Sequence, residues 1–189
     1  MNKFPFFYCG KTSSFVATCM KKILLLSDTH GYLDEKMEKF IAEADEVWHA
    51  GDWGSGNLPE RISAIRPLKG VYGNIDGQDI RIGFPLFLDF YCEGVRVWIT
   101  HIGGYPGRYA PFIREKLKES VPGLLVCGHS HILKVMRDPK YGLLHINPGA
   151  AGISGFHQVR TMIRLKFDAG RMHDLEVIEL GPRAWIPTA

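Results

Sequence analysis

The sequence predicts an α/β domain built on two packed sheets. Three observations carry that expectation. Short apolar runs alternate with amphipathic stretches through the first part of the chain, and strand-like segments follow one another in the second. Several of the apolar runs also break off at Gly, Asp or His. A chain of 189 residues is the size of one domain, and no repeat or internal linker divides residues 20–180.

Residues 1–19 read as a flexible N-terminal extension, with the domain proper over 20–189. The aromatic patch Phe4-Pro5-Phe6-Phe7-Tyr8 is broken by Gly10 and Lys11, so it lacks the continuous apolar stretch of a secretory signal. Ile23-Leu24-Leu25-Leu26 is a continuous apolar run that suits a strand buried on both faces. Leu33, Met37, Phe40 and Ile41 recur at spacings of three and four, which predicts a helix over 33–44. Residues 46–50 form a second strand, 58–65 a helix and 67–72 a third strand. Strands are expected over 84–90 and 95–100, a helix over 111–119 and a buried strand over 124–127. The tail is β, with strands over 134–137, 141–146, 161–167 and 175–180.

Composition narrows the function. Apolar residues make up 46% and charged residues 23%, which excludes a disordered chain. No apolar run reaches the roughly 18 residues a membrane helix needs. Net charge is only +3, and Arg114, Lys116 and Lys118 are interleaved with Glu115 and Glu119, so a nucleic-acid partner is disfavoured. Cys9, Cys19, Cys92 and Cys127 lack zinc-knuckle or disulfide-framework spacing, which fits reduced thiols in the cytoplasm.

The chemistry lies where the strands end. Five apolar runs stop at Asp28-x-His30, Gly51-Asp52, Gly73-Asn74-x-Asp76, His101 and Gly128-His129-x-His131. Ligands of open α/β sheets gather at the carboxyl ends of the strands, so residues a hundred positions apart can meet there. The glycines at 51, 73 and 128 are expected to let the backbone turn sharply toward a shared centre. Four histidines, two carboxylates and one amide oxygen, without a thiolate, suit manganese, iron, zinc or nickel and not calcium. Seven ligands exceed what one tetrahedral ion requires, so a dinuclear site is the economical expectation.

That ordered series resembles the calcineurin-like metallophosphoesterase superfamily, and most of all its small single-domain phosphodiesterases of the YfcE type. The resemblance covers residues 20–180, and Asn147-Pro148-Gly149-Ala150 matches a turn of these small members. It implies two facing mixed β-sheets flanked by helices, with the metals at one end. It further implies that Asp28, His30, Asp52 and His131 hold one metal and that Asp52, Asn74, His101 and His129 hold the other. A bridging hydroxide would attack a small phosphodiester in line. Catalytic parts fall to Asp52, Asn74 and Asp76, the last orienting its loop without touching a metal. Two divalent ions are implied, manganese first, with nickel, zinc, iron or magnesium as alternatives.

Ile75 departs from the pattern, because many relatives carry histidine there to assist the leaving group. Modest turnover and a bias toward good leaving groups such as aryl phosphates are expected. The alternative is an interaction scaffold, since the family includes a retromer subunit of this fold. Tyr105, Pro106, Arg108 and Tyr109 are expected to rim the cleft. His49 and Trp53 are expected in the core, Trp53 with an alternative place at the mouth, and His145, His157 and His173 carry no expected role. A homo-oligomer is left open.

Overall fold

The structure, a computed structural model, describes residues 20–183. The expected extension over 1–19 lies outside the described residues. One five-stranded sheet has the order β12-β11-β1-β2-β3, formed by β1 (Lys21–Leu26), β2 (Glu46–His49), β3 (Leu68–Gly70), β11 (Val159–Asp168) and β12 (Arg171–Pro182). The other has the order β4-β5-β8-β10-β9, formed by β4 (Phe87–Cys92), β5 (Val95–Thr100), β8 (Leu124–Val126), β9 (Lys134–Arg137) and β10 (Leu144–Asn147). In the first sheet β1, β2 and β3 run parallel; in the second β5, β8 and β10 do. Each sheet therefore presents three strand carboxyl ends side by side.

Alternation along the strands decides what packs where. Ile23 and Leu25 of β1 meet Val97, Ile99, Leu124, Val126 and Ile146 between the two sheets. Leu24 and Leu26 point the other way, onto Met37 and Ile41 of α1 (Glu35–Glu43) and Ile62 of α2 (Leu58–Ser63). β1 is thus covered on both faces, which is why its apolar run is unbroken. The outer side of the second sheet is closed by Ile113 and Leu117 of α4 (Pro111–Glu119), packed on Trp98, Leu125 and Leu143.

Some boundaries differ from expectation, for physical reasons. Helix α1 begins at Glu35 because the Asp34 side chain caps it, accepting from Met37 N at 2.9 Å. The same carboxylate takes a bond from the buried Arg160 at 2.9 Å, fastening β11 to the helix start. A six-residue helix, α3 (Gln78–Gly83), stands where only loop and strand were expected. It buries one apolar side chain, Ile80, and has no side-chain cap, so its signal is faint. The rim after His101 is a small hairpin of β6 (Gly104–Tyr105) and β7 (Arg108–Tyr109). It is tied down by a bond from Tyr109 Oη to Asp138 at 2.7 Å.

Candidate metal centre

Two backbone ladders carry the strand ends past the sheets and lay them beside one another. Asp28 N donates to Gly51 O at 3.0 Å and His30 N to Asp52 O at 3.1 Å, holding the turns after β1 and β2 together. Gly128 N donates to His101 O at 3.0 Å, joining the turns after β5 and β8. The sheets are linked at this end by His129 N, which donates to both carboxylate oxygens of Asp28.

The backbone here is contorted. Of the eight non-glycine residues with positive φ among those described, five are Asp28, His30, Asp52, His129 and His131. Each left-handed position costs on the order of 1 kcal/mol or more, and such positions cluster at functional sites. Glycine acts differently from expectation at two of its three positions. Gly51, at φ 92°, supplies a turn, whereas Gly73 and Gly128 have no left-handed backbone. They supply room: a β-carbon on Gly73 would fall on the Asp52 carboxylate, and one on Gly128 on Ser27 Oγ, beside Asp28.

Six of the seven expected ligands form two groups in which all donor atoms lie within 4.8 Å of one another. Asp28, His30, Asp52 and His131 make one group; Asp52, His101 and His129 make the other, so Asp52 belongs to both. Asn74 joins the second group through Oδ1, 3.1 Å from His101 Nε2. Asp28, Asp52 and His101 are buried, while Asn74 and His129 are exposed, so the centre opens to solvent on the side of the second group.

The donors suit a cation. His101 Nδ1 lies 2.7 Å from Ala50 O, so that nitrogen carries the proton and Nε2 faces Asp52 Oδ1 at 3.2 Å and Asn74 Oδ1. In the other group His30 Nε2 and His131 Nε2 stand 3.4 Å apart, with Asp28 Oδ1 3.2 Å from His131 Nε2. Lone pairs aimed at one point repel unless a proton or a positive ion lies among them. Mixed nitrogen and oxygen donors without sulfur match a borderline divalent ion.

Charge around Asp52 points the same way. Burial pushes its carboxyl up, but the His101 bond, the Ile75 N–H and nearby positive charge outweigh that and hold it below the usual carboxylate range. Burial pushes His101 down, yet the Asp52 carboxylate as acceptor and the charges of Asp28 and Asp52 raise it on balance. Behind them, burial holds His49 neutral, far below its ordinary value. Its Nε2 meets Thr29 Oγ1 at 2.9 Å, and its ring stacks on Trp53 at 3.6 Å, which places Trp53 in the core and not at the mouth.

Asp76 touches none of the donor atoms just described. Its carboxylate accepts backbone N–H bonds from Asp52 at 3.1 Å, Gly54 at 3.0 Å and Gly73 at 2.6 Å, pinning the loops that carry Asp52 and Asn74. Two supporting residues escaped the sequence reading. Ser27 donates to Asp28 Oδ2 at 2.6 Å, a role its place beside Asp28 could have suggested. His157 sets its ring 5.4 Å from that of His131 and bonds Gly152 O through Nε2, and no spacing signals this. His145 is a buried partner of Gly104 O and Cys127, and His173 stands away from the centre on β12.

Comparison with known proteins accords with this geometry. A probable metallophosphoesterase of Mycoplasma pneumoniae is 29% identical over 169 residues, covering 82% of this chain and 96% of that one. An archaeal phosphodiesterase of known structure superposes with a TM-score of 0.67 at 22% identity, over 84% of this chain and 99% of its own. Vps29 complexed with zinc, from Entamoeba histolytica, superposes at 0.64 with 13% identity, over 86% and 99%. The two solved structures share the fold. The model of the calcineurin-like phosphoesterase superfamily domain matches residues 20–170, the stretch that carries every strand except β12 and every candidate ligand, and the chain belongs to that superfamily.

Proposed function

We propose that the chain hydrolyses small phosphodiesters at a centre of two divalent ions, manganese first among the candidates. The observation that carries this reading is the sharing of Asp52 between two groups of donors drawn from both sheets. Asp28, His30, Asp52 and His131 would hold one ion, and Asp52, Asn74, His101 and His129 the other. Bound there, such ions supply a nucleophile from water at neutral pH and neutralise charge on phosphoryl oxygens.

The chain's own residues set the conditions. The Ile75 N–H donates to Asp52 Oδ1 at 3.2 Å and helps keep that carboxylate ionised. Asn74 turns its Oδ1 toward His101, which leaves its amide N–H groups for a phosphoryl oxygen at the exposed side. Asp76 keeps both loops in register. Ile75 is half exposed at that side and has no proton to give, so the leaving group must depart without its help. That favours aryl esters, whose departing aryloxides are weak bases.

No helix among the described residues is long and apolar enough to cross a membrane. Cys92 and Cys127 are free and buried, and with them we place the chain in the reducing cytoplasm. Hydrolysis of bis(p-nitrophenyl) phosphate by metal-stripped protein, before and after adding manganese, nickel, zinc or magnesium, tests the activity. An Asp52→Asn variant run alongside excludes a contaminant. Folded protein inactive with every metal would favour the competing reading, a scaffold. The exposed Ile75 beside Asn74 speaks for that reading, since an apolar side chain there suits contact better than chemistry.

A further inference from the structure

A pocket of about 230 Å³ opens beside His129. Ile102, Tyr105, Ala110 and Ile132 line it, and Lys134 is its one cationic side chain. Ile102, Tyr105 and Ile132 are 47%, 39% and 61% exposed. One such residue on a surface means little, but three around a single opening whose inner edge is a candidate ligand mark a binding surface. The Lys134 ammonium sits 4.1 Å over the Tyr105 ring centroid, where its charge is engaged by the wall itself.

Size and rigidity narrow the occupant. A cavity of roughly 150 Å³ takes a benzene ring, so this pocket admits one aromatic ring with its linking atoms. One wall is the β6–β7 hairpin, which Tyr109 ties to Asp138 and which Ala110 N closes onto Gly103 O at 3.0 Å. A wall fastened at both ends is in place before the ligand arrives, and binding then orders little.

We infer that this pocket seats an aromatic ester group of the substrate, a single carbocyclic or heteroaromatic ring attached through oxygen to the phosphorus. The inference rests on the phosphodiesterase reading and narrows its substrate class. The experiment is calorimetric titration of the full, manganese-loaded chain with phenylphosphonate, methylphosphonate and 2-carboxyethylphosphonate. Phenylphosphonate is expected to bind about tenfold more tightly than methylphosphonate or better. Ala110→Leu, which fills the pocket, and Ile132→Ala, which removes a wall, should each bring that ratio toward one. Equal affinities, no binding of phenylphosphonate, or a lead for 2-carboxyethylphosphonate would overturn the assignment; the last would put an anion near Lys134 instead.

Turnover is read separately, with methyl and phenyl esters of p-nitrophenyl phosphate. A preserved phenyl preference in binding without turnover of either ester sinks the hydrolase reading and leaves the pocket assigned. Turnover of both esters, with no phenyl preference in binding, does the reverse.

Discussion

His30 Nε2 and His131 Nε2 face one another across 3.4 Å although 101 residues separate them in the chain. Both residues sit in left-handed backbone, at φ 49° and 57°. Neither conformation is one an ordinary loop would choose, so both are imposed by the bonds around them. The Asp52 carbonyl holds His30 N, and Gly128 O and the Asp28 carboxylate hold Ser130 N and His129 N just before His131. The pair therefore stands ready to receive a positive charge, and several consequences can be measured.

Divalent ions should stabilise the fold, because they bind the assembled donors and not the unfolded chain. At a free ion concentration of about 100 times Kd the gain is about 2.7 kcal/mol, or roughly 5–10 °C in Tm for a chain of this size. Scanning calorimetry of chelated and manganese-loaded protein measures it. A Tm indifferent to both treatments means that no ion is held.

Asp52→Asn should lower phosphodiester turnover by about 10²–10³-fold or more, the scale seen when one charged or polar contact to the reacting centre is lost. It should also reduce the bound metal from two ions per chain, read by elemental analysis after dialysis. Full metal content with full activity would remove Asp52 from the centre.

Ile75→His restores a proton donor at an exposed position next to Asn74. Rates on alkyl esters should rise by about 10²-fold or more, with little change on p-nitrophenyl esters, whose leaving groups need no proton. Equal effects on both substrate types would mean that the missing histidine does not limit the reaction.

Gly128→Ala forces a β-carbon onto Ser27 Oγ and close to Asp28 Oδ2. Overpacking of this kind costs about 1–3 kcal/mol, and here it displaces Ser27, whose hydroxyl holds the candidate ligand Asp28. Urea denaturation should show the loss, and manganese affinity should fall with it. A variant that loses stability while binding manganese normally would separate the glycine from the centre.

Glu46 tests the linkage between pH and stability outside the candidate metal centre. It is buried, with Lys21 and Lys69 on its carboxylate and Trp48 Nε1 donating at 2.8 Å. Burial pushes its pKa up, but those three donors outweigh it and hold the group below its usual value. A depressed folded pKa contributes stability above the unfolded value and loses it as pH falls through the folded one. Glu46→Gln should therefore cost about 1–3 kcal/mol at pH 7, and its deficit should shrink once the pH drops below about 4. A deficit that grows on acidification would be falsifying.

The chain announces its strands more clearly than the devices that shape the site. Ile23 to Leu26 is legible because both faces of β1 are covered, and the candidate donor positions stand out because each follows a strand. The α3 segment is not, since a helix with one buried apolar residue leaves no periodicity to detect. The left-handed backbone at Asp28, His30, Asp52, His129 and His131 is equally silent, because it is enforced by contacts between turns distant in sequence. His157 reaches His131 through folding of the 152–157 loop, and a pattern of residue types cannot show that. The steric purpose of Gly73 and Gly128 becomes visible only once Asp52 and Asp28 stand opposite them.

The division of donors between the sheets dictates an order of assembly. Asp28, His30 and Asp52 follow strands of the first sheet, whereas His101, His129 and His131 follow strands of the second, and each group mixes the two. Neither half of the molecule can hold an ion in its intended shell by itself. An ion therefore cannot template either sheet, and its capture during refolding times the moment the two halves close at that end. Stopped-flow refolding followed at once by tryptophan fluorescence and by a metal-sensitive dye would see ion uptake trail the burial of Trp48, held between the sheets.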